Sequence, residues 1–235
     1  MITVEEVTHR YGEVVALENI SLTIADGEFV LVVGANGSGK TTLVRQFNAL
    51  LEPDEGRVTV DGLDVFENPV AARAAIGMVF QRPADQFVAA TVGADVAFGP
   101  ENLGLEREEI DRRVENALAA VNLDGCREDR IHTLSGGEQS RVAIAGVLAM
   151  EPSHLVLDEP FTGLDQPARE SVLTHLDALA ANGTGIVVVT HDLRDVLGRA
   201  DRVLGLADGR LVVDAPPEQA VEDLPTLDVR VPEDW

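Results

Sequence analysis

Apolar and polar residues alternate, or apolar residues run together, in three segments of the first 33 residues. The segments are ITVEEVTHRY, ALENISLTI and EFVLVV. Such patterns are typical of β-strands, and the dipeptides Tyr11-Gly12 and Asp26-Gly27 between the segments predict turns. The chain is therefore expected to begin with three strands.

The pattern then changes repeatedly between helix and strand. KTTLVRQFNALL predicts a helix that ends before Pro53, while GRVTVDG and IGMVF predict short strands. HLVLDE and GIVVVTH are apolar runs typical of parallel strands buried on both faces. A helix is predicted between these two runs. This alternation indicates an α/β fold with a mostly parallel core sheet.

Residues 100–150 have a helical pattern instead. Apolar side chains fall on one helix face at Ile110, Val114, Leu118 and Val121. The sequence therefore predicts an α/β core that is interrupted by a helical insertion at roughly 86–150. After it, DRVLGLADGRLVV predicts a hairpin around Asp208-Gly209, and PEQAVED a short helix in the tail.

Composition limits the classes of function. Hydrophobic residues make up 45% and aromatic residues 4% of the 235 positions, so the core consists mainly of Val, Leu, Ile and Ala. A net charge of −23 argues against non-specific binding to nucleic acid or to anionic lipid. The acidity fits either an ordinary soluble surface or adaptation to high salt, and its spread along the whole chain favours adaptation to high salt.

Three absences add to this picture. Cys126 is the single cysteine, so an internal disulfide is impossible, as fits a reducing cytoplasm. The first ten residues lack the pattern of a signal peptide. No apolar run approaches the ~18 residues that a membrane span needs. Work at a membrane would therefore require a partner.

The segment VGANGSGKTTL contains the only lysine of the chain, Lys40. Gly34, Gly39, Lys40 and Thr41 form the pattern G-x-x-x-x-G-K-[ST] between a predicted strand and a predicted helix, as a phosphate-binding P-loop requires. The backbone N–H groups of this loop would face phosphate oxygens. Lys40 would contact the β- and γ-phosphates, and the Thr41 hydroxyl would bind Mg²⁺. A chance glycine-rich turn is the alternative. The expected nucleotide-binding residues are Gly34, Ala35, Asn36, Gly37, Ser38, Gly39, Lys40, Thr41 and Thr42.

Two further motifs carry less information when taken alone. The predicted strand in HLVLDEP ends at Asp158 and Glu159. Asp158 suits a metal ligand and Glu159 a general base, although a strand end exposed to solvent would show the same sequence. In LSGGEQSR, Ser135 and Glu138 form an S-x-x-E capping box, which a plain capped helix would also show. Downstream of a P-loop both motifs gain weight.

Together these motifs resemble the ATP-binding-cassette (ABC) ATPases over nearly the whole chain. The ordered set comprises Tyr11, the P-loop 34–42, Gln81, the signature 134–138, Asp158-Glu159, the D-loop GLD at 163–165, and His191. The resemblance implies that Tyr11 stacks on adenine and that Gln81 contacts the metal. A surface tyrosine and a polar strand cap are the alternatives. Histidines 9, 132, 154 and 175 form no cluster and are expected to be surface or satisfied residues.

The resemblance also implies an architecture and an assembly. The expected fold is a single ABC ATPase domain over 1–235, with a core at 1–85 and 152–215, a helical subdomain at about 86–151 and a tail at 216–235. An antiparallel β subdomain is expected at the N-terminus. Two ATPase chains would bind ATP and Mg²⁺ head to tail, as a homodimer or with a second ATPase. Residues of one chain would then reach ATP on the other: Ser135, Gly136, Gly137 and Asp165.

A finer resemblance is to the ATPases of energy-coupling-factor (ECF) importers of metal ions or vitamins. Q-x-P-x-x-Q is present as Gln81, Pro83 and Gln86, and DVAFGPENLGL follows at 95–105. Arg82 and Ala84 depart from the common pattern. The resemblance implies an import motor at the cytoplasmic face of the membrane, with a transmembrane coupling protein, a substrate-capture protein and no nucleic acid.

Other classes stay open beside this one: another ABC importer or exporter, or a soluble ABC ATPase. A small-molecule kinase is opposed by LSGGE, which has no use there. If the chain is an import motor, the loop after Gln81 is expected to couple ATP to the partner through an exposed groove near Phe87, Val88 and Val92. The alternative is that these residues close the subdomain's own core.

Overall fold

The computed structural model describes residues 1–232, in ten strands and seven α-helices. The last three positions of the predicted tail lie outside the described residues. The strands are β1 (Ile2–Tyr11), β2 (Val14–Ile24), β3 (Phe29–Val33), β4 (Glu55–Val60), β5 (Leu63–Asp64), β6 (Ile76–Val79), β7 (His154–Asp158), β8 (Gly185–Val189), β9 (Arg202–Ala207) and β10 (Arg210–Ala215). The helices are α1 (Lys40–Val44), α2 (Pro69–Ala75), α3 (Val92–Asn102), α4 (Arg107–Ala120), α5 (Gly136–Leu148), α6 (Gln166–Ala181) and α7 (Pro217–Ala220).

The strands form two sheets. The larger has six strands in the order β10-β9-β3-β8-β7-β6, and all its neighbours are parallel except β9 and β10. The smaller is antiparallel, in the order β2-β1-β4-β5. The predicted α/β class, the parallel core sheet and the antiparallel N-terminal sheet are therefore confirmed.

The parallel strands are buried on both faces, as their apolar runs predict. In β3, Leu31 points into a core shared with helices α3 to α6, whereas Val30 and Val32 point into a core shared with α1 and the antiparallel sheet. Because successive side chains of a strand point to opposite faces, β3 contributes to one apolar core on each face of the sheet. The P-loop follows β3 directly and lies at the carboxyl edge of this sheet.

The helical segment is built from α3, α4 and α5, which pack on one another. Val114 and Leu118 of α4 are buried, as the helical spacing predicts. The segment shares one continuous apolar core with the large sheet. The subdomain boundaries at 86 and 151 stay a prediction.

Two local predictions were inaccurate. The helix expected over 40–51 is α-helical only for Lys40–Val44, and it continues as turns because Gln46 and Phe47 donate to carbonyls three positions back. Helix α2 was not predicted. Ala72 is its one buried residue, so it has no apolar stripe that a periodicity search could detect.

The expectation for the histidines was wrong at two positions. His9 and His154 are buried, with 7% and 0% of their surface exposed, and within residues 1–232 neither ring makes a hydrogen bond. Each instead lies near a carboxylate, Asp54 for His9 and Asp26 for His154, at 3.5 Å and 3.4 Å. Both residues lie in predicted strands, His9 in ITVEEVTHRY and His154 at the start of HLVLDE, so the strand pattern was the available signal of their burial.

Candidate functional site

The P-loop connects the end of β3 to the start of α1, and its glycines are required by geometry. Gly34 has φ +143°, and a Cβ there would lie 2.2 Å from the carbonyl oxygen of Leu206. Gly39 has φ +106°, and its Cβ would lie 2.7 Å from the carbonyl oxygen of Ala16. No side chain fits either position, which explains two of the motif's fixed residues.

The ammonium of Lys40 is held across this loop. Its Nζ donates to the carbonyl oxygens of Gly34 and Ala35 at 2.7 and 2.8 Å. Burial lowers the pKa of Lys40, and the nearby carboxylates of Glu159 and Asp158 oppose that shift. The chain's single lysine is thus a buried positive charge at the carboxyl edge of the parallel sheet.

Asp158 and Thr41 meet beside this lysine. Thr41 Oγ1 donates to Asp158 Oδ2 at 2.8 Å. Burial raises the pKa of Asp158, and the hydrogen bond from Thr41 opposes the shift. A hydroxyl and a carboxylate are the hard oxygen donors that Mg²⁺ prefers, and Mg²⁺ commonly takes its remaining ligands from phosphates and water. The two side chains therefore fit a magnesium site that a nucleotide would complete.

Glu159 follows Asp158 and contacts the loop after β8. Its backbone is left-handed, with φ +51°, an uncommon conformation for a residue with a long side chain. Its Oε1 lies 2.6 Å from Nδ1 of His191 and accepts from the His191 backbone N–H at 3.2 Å. Thr190 Oγ1 donates to its other oxygen at 3.2 Å. The carboxylate is fixed in orientation by three contacts.

A cavity of about 380 Å³ brings the predicted nucleotide residues together. Sequence reasoning missed three of its lining residues, Val14, Val15 and Ala16. Val14 and Val15 are 66% and 43% exposed on β2. The predicted strand ALENISLTI begins after them, and two adjacent valines before it were the available signal. The predicted residues that line the cavity are Tyr11, Asn36, Gly37, Gly39, Lys40, Thr41, Thr42, Gln81, Asp158 and Glu159.

His191 lies outside that cavity and lines a second one, of about 350 Å³. Glu159 borders both cavities. Three arginines also line the second cavity: Arg169, Arg194 and Arg230. Glu159 is therefore the residue that the two cavities share, and its carboxylate contacts His191 of the second cavity.

The signature segment forms the predicted capping box at the start of α5. The Ser135 N–H donates to Glu138 Oε2 at 2.8 Å, and the Glu138 N–H donates to Ser135 Oγ at 3.3 Å. A Cβ at Gly137 would lie 2.8 Å from the carbonyl oxygen of Gly163, so the helix start packs closely on the GLD loop. Asp165 in that loop caps α6 by accepting from the Ala168 N–H at 3.0 Å.

The signature residues and Asp165 line neither the P-loop cavity nor the His191 cavity. Ser135, Gly137 and Asp165 instead border a surface cavity of about 230 Å³. Gly136 lies beside them as the first residue of α5. Within one chain these residues are therefore separate from the predicted phosphate site, and their role toward ATP on a second chain stays a prediction.

Comparison with known proteins decides the family. A sequence profile described as "ABC transporter" matches residues 17–162, more than half of the chain. The chain belongs to the ABC transporter family. As members of this family bind and hydrolyse ATP to energise transport, this protein is an ATPase.

Relatives place the ABC ATPase more closely. An ABC transporter ATP-binding protein of Halobacterium salinarum is 62% identical over 99% of this chain and 100% of its own length. The cobalt import ATP-binding protein CbiO of Syntrophus aciditrophicus is 45% identical, over 93% of this chain and 79% of its own. The energy-coupling factor transporter ATP-binding protein EcfA2 of Symbiobacterium thermophilum is 48% identical, over 83% of this chain and 69% of its own length. The resemblance to ECF-type ATPases is confirmed.

Solved structures confirm the fold. The cbiO1 protein of Clostridium perfringens, described as part of the ABC transporter complex cbiONQ, matches with TM-score 0.82 and 36% identity over 94% of this chain and 90% of its own. An ATP-binding cassette dimer in a post-hydrolysis state with ADP and Pi matches with TM-score 0.84 and 31% identity, over 92% of this chain and 99% of its own.

Among residues 1–232 of the ABC ATPase, no helix is both long and apolar enough to cross a membrane.

Proposed function

We propose that this ABC ATPase is the ATP-hydrolysing subunit of an ECF-type importer for a metal ion or a vitamin. It would work at the cytoplasmic face of the membrane as one of two ATPases, identical or different, bound to a transmembrane coupling protein and a substrate-capture protein. The observation that carries the proposal is one cavity lined by the P-loop, Gln81 and Glu159, with the ECF-like segment 81–105 leading away from it. The names of the CbiO and EcfA2 relatives support it.

The same cavity supports specific roles in ATP binding. Tyr11 is 51% exposed beside Val14 and Val15, and this apolar rim suits a stacked adenine. The P-loop amides and Lys40 would hold the phosphates. Thr41, Asp158 and Gln81 would hold Mg²⁺, which when bound neutralises phosphate charge.

Glu159 is the proposed general base for the attacking water. Its carboxylate is held by His191 and Thr190, so it is oriented before the nucleotide arrives. Holding a reacting group in place in this way lowers the barrier to reaction. His191, in this proposal, keeps the carboxylate aimed at the water and lies near the γ-phosphate.

The proposed dimer accounts for the signature residues. Ser135 Oγ caps the Glu138 N–H, while the N–H groups of Gly136 and Gly137 have no acceptor within the helix and form an anion-binding end, where Ser135 and Gly136 are exposed. A γ-phosphate bound to the partner's P-loop would satisfy them. Loss of that phosphate on hydrolysis would remove the bridging charge and open the pair.

The surface proposed for the membrane partner differs from the expected groove. Val92 is fully buried and Phe87 packs on the main core, whereas Val88 is 59% exposed. Asp95 holds Val88 by accepting from its N–H at 2.7 Å, and Phe98, one helical turn later, is 46% exposed. The expectation was therefore wrong for Val92, and the proposed surface consists of Val88 and Phe98.

Gln86 ties this surface to the nucleotide site. Its Oε1 accepts from the Phe80 N–H at 2.9 Å, and its Nε2 donates to the Ala143 carbonyl of α5 at 3.2 Å. The loop that begins at Gln81 is thus joined to the end of β6 and to the signature helix. A pull on Gln81 would move this loop and α5 together, as coupling requires.

The proposal is tested by a double substitution, Val88→Asp with Phe98→Asp. Two charges on an apolar contact surface should abolish co-purification with the transmembrane coupling protein and leave ATP turnover of the isolated chain within about twofold. Val212→Asp is the matched control, since Val212 is also a half-exposed valine, 54% exposed on β10. It should retain the partner.

Two results would contradict the proposal. Retention of the coupling protein and of uptake by the double variant would place the coupling surface elsewhere. Loss of folding and turnover would mean that these residues close the subdomain's own core. A transmembrane partner that works without a separate substrate-capture protein would assign the ATPase to another class of ABC transporter.

A further inference from the structure

The chain after α7 returns from the far edge of the large sheet to His191. Leu224 and Leu227 anchor this tail, with 0% and 4% of their surface exposed in the main core. Leu227 packs against the backbone of β9 at Gly205, where a Cβ would lie 2.6 Å from Leu227 Cδ1. The anchor is therefore fixed to a central element of the fold.

From this anchor the chain turns and pairs with the loop that carries His191. Asp228 makes the turn with φ +55°. The Arg230 N–H then donates to the His191 carbonyl at 2.7 Å, and the Arg230 carbonyl accepts from the Leu193 N–H at 2.8 Å. Asp192 and Arg230 form a parallel bridge between these two bonds. One tail residue thus holds the backbone on both sides of Asp192.

Both backbone polar groups of His191 are therefore in use. Its N–H donates to the Glu159 carboxylate at 3.2 Å, and its carbonyl accepts from Arg230 at 2.7 Å. The loop begins where β8 ends, so among the strands of residues 1–232 none pairs with His191 on the tail side. The bond from Arg230 takes that place.

We propose that Arg230 is a positioning residue for ATP hydrolysis that acts through its backbone. By holding the carbonyl of His191 it keeps the imidazole and the N–H of this residue against Glu159. A displacement of about 1 Å at a reacting group can lower a rate by about 100-fold. The tail is thereby a working part of the site, although it lies outside the family's motifs.

The test is Arg230→Pro, which removes the N–H that donates to the His191 carbonyl. Steady-state turnover of the full chain should fall by about 10- to 100-fold, while KM for ATP changes by less than about twofold. Val231→Pro is the matched control. Within the described part of the chain its N–H donates to no backbone carbonyl, and a following proline favours an extended conformation of Arg230, which is compatible with its parallel bridge to Asp192.

Two further variants separate backbone from side chain and guard against misfolding. Arg230→Ala keeps the N–H, so a loss as large as that of Arg230→Pro would overturn the backbone assignment. Leu227→Ala loosens the anchor without altering Arg230, and it should lower kcat in the same direction at unchanged KM. Hydrogen exchange at the Leu193 amide should accelerate in both Arg230→Pro and Leu227→Ala, which shows whether the pairing has opened in a folded chain.

The inference rests on the roles proposed for Glu159 and His191, and His191→Ala tells the two failures apart. If His191→Ala leaves turnover unchanged, those roles fail. If His191→Ala stops turnover while Arg230→Pro accelerates exchange at Leu193 and leaves kcat unchanged, the role of Arg230 alone is overturned. A rise in KM with unchanged kcat in Arg230→Pro would also overturn it.

Discussion

The carboxylate of Glu159 and the imidazole of His191 lie 2.6 Å apart, although the residues are 32 positions apart in the chain. They meet because β7 and β8 are parallel neighbours, so the loops that follow both strands leave the same edge of the sheet. Glu159 also lines the cavity of the P-loop, so the general base proposed above would border the nucleotide. This contact gives the most direct test of the site.

Glu159→Gln should lower ATP turnover by at least ~100-fold, the scale of a lost general base. Glutamine keeps the size of the side chain and can still bond to Thr190, so ATP binding should persist and a closed dimer should accumulate. Turnover assays and size-exclusion chromatography with ATP measure both effects. Lys40→Ala should differ by weakening nucleotide binding itself. Near-normal turnover in Glu159→Gln would contradict the assignment.

Gly34→Ala should damage the P-loop far more than Gly37→Ala. Both glycines have positive φ, +143° at Gly34 and +83° at Gly37. A Cβ at Gly34 would lie 2.2 Å from the Leu206 carbonyl oxygen, whereas at Gly37 no atom of residues 1–232 would lie within 4 Å of it. Gly37→Ala should therefore cost only about 1–3 kcal/mol of backbone strain. ATP affinity and the melting temperature measure the difference. Equal losses would mean that backbone strain, not the clash, decides.

Much of the site could be predicted because its signals are local. Lys40 ends a P-loop that begins directly after β3, Asp158 and Glu159 lie at the end of β7, and parallel strands bring their carboxyl ends together. Val14 and Val15 were missed because their role depends on where β2 lies over the P-loop. Arg230 was missed for the same reason: no local pattern shows that a tail residue pairs with a loop near position 191.

Acid should destabilise the fold through His154. Burial lowers the pKa of His154, which has 0% exposed surface, so the folded state holds this ring neutral. Below about pH 6.5 the unfolded chain binds a proton that the folded chain does not, and stability falls as pH decreases. Burial also lowers the pKa of His175, which adds to the effect.

Urea unfolding between about pH 7.5 and 5.5 measures this dependence, because ordinary carboxylates titrate below that window. His154→Gln should flatten the curve of unfolding free energy against pH. His132→Gln is the matched control, since His132 is exposed. This variant should show the same slope of unfolding free energy against pH as the wild type. An unchanged slope in His154→Gln would assign the acid sensitivity elsewhere.

Potassium chloride should stabilise the fold. Forty-one acidic and 18 basic residues give a net charge of −23, and repulsion among them should weaken as the Debye length falls to ~3 Å at 1 M salt. A rise in melting temperature of about 5 °C from dilute buffer to molar KCl would correspond to roughly 2 kcal/mol for a chain of this size.

To separate screening from a general salt effect, a variant changes Glu13, Glu52, Glu101 and Glu222 to glutamine. These four are exposed and form no ion pair within residues 1–232. The variant should melt higher than wild type in dilute buffer and gain less from KCl, because fewer charges remain to be screened. A melting temperature that stays flat with KCl would refute adaptation to high salt, and an equal gain in both proteins would show that the salt acts on burial of apolar surface and not on charge.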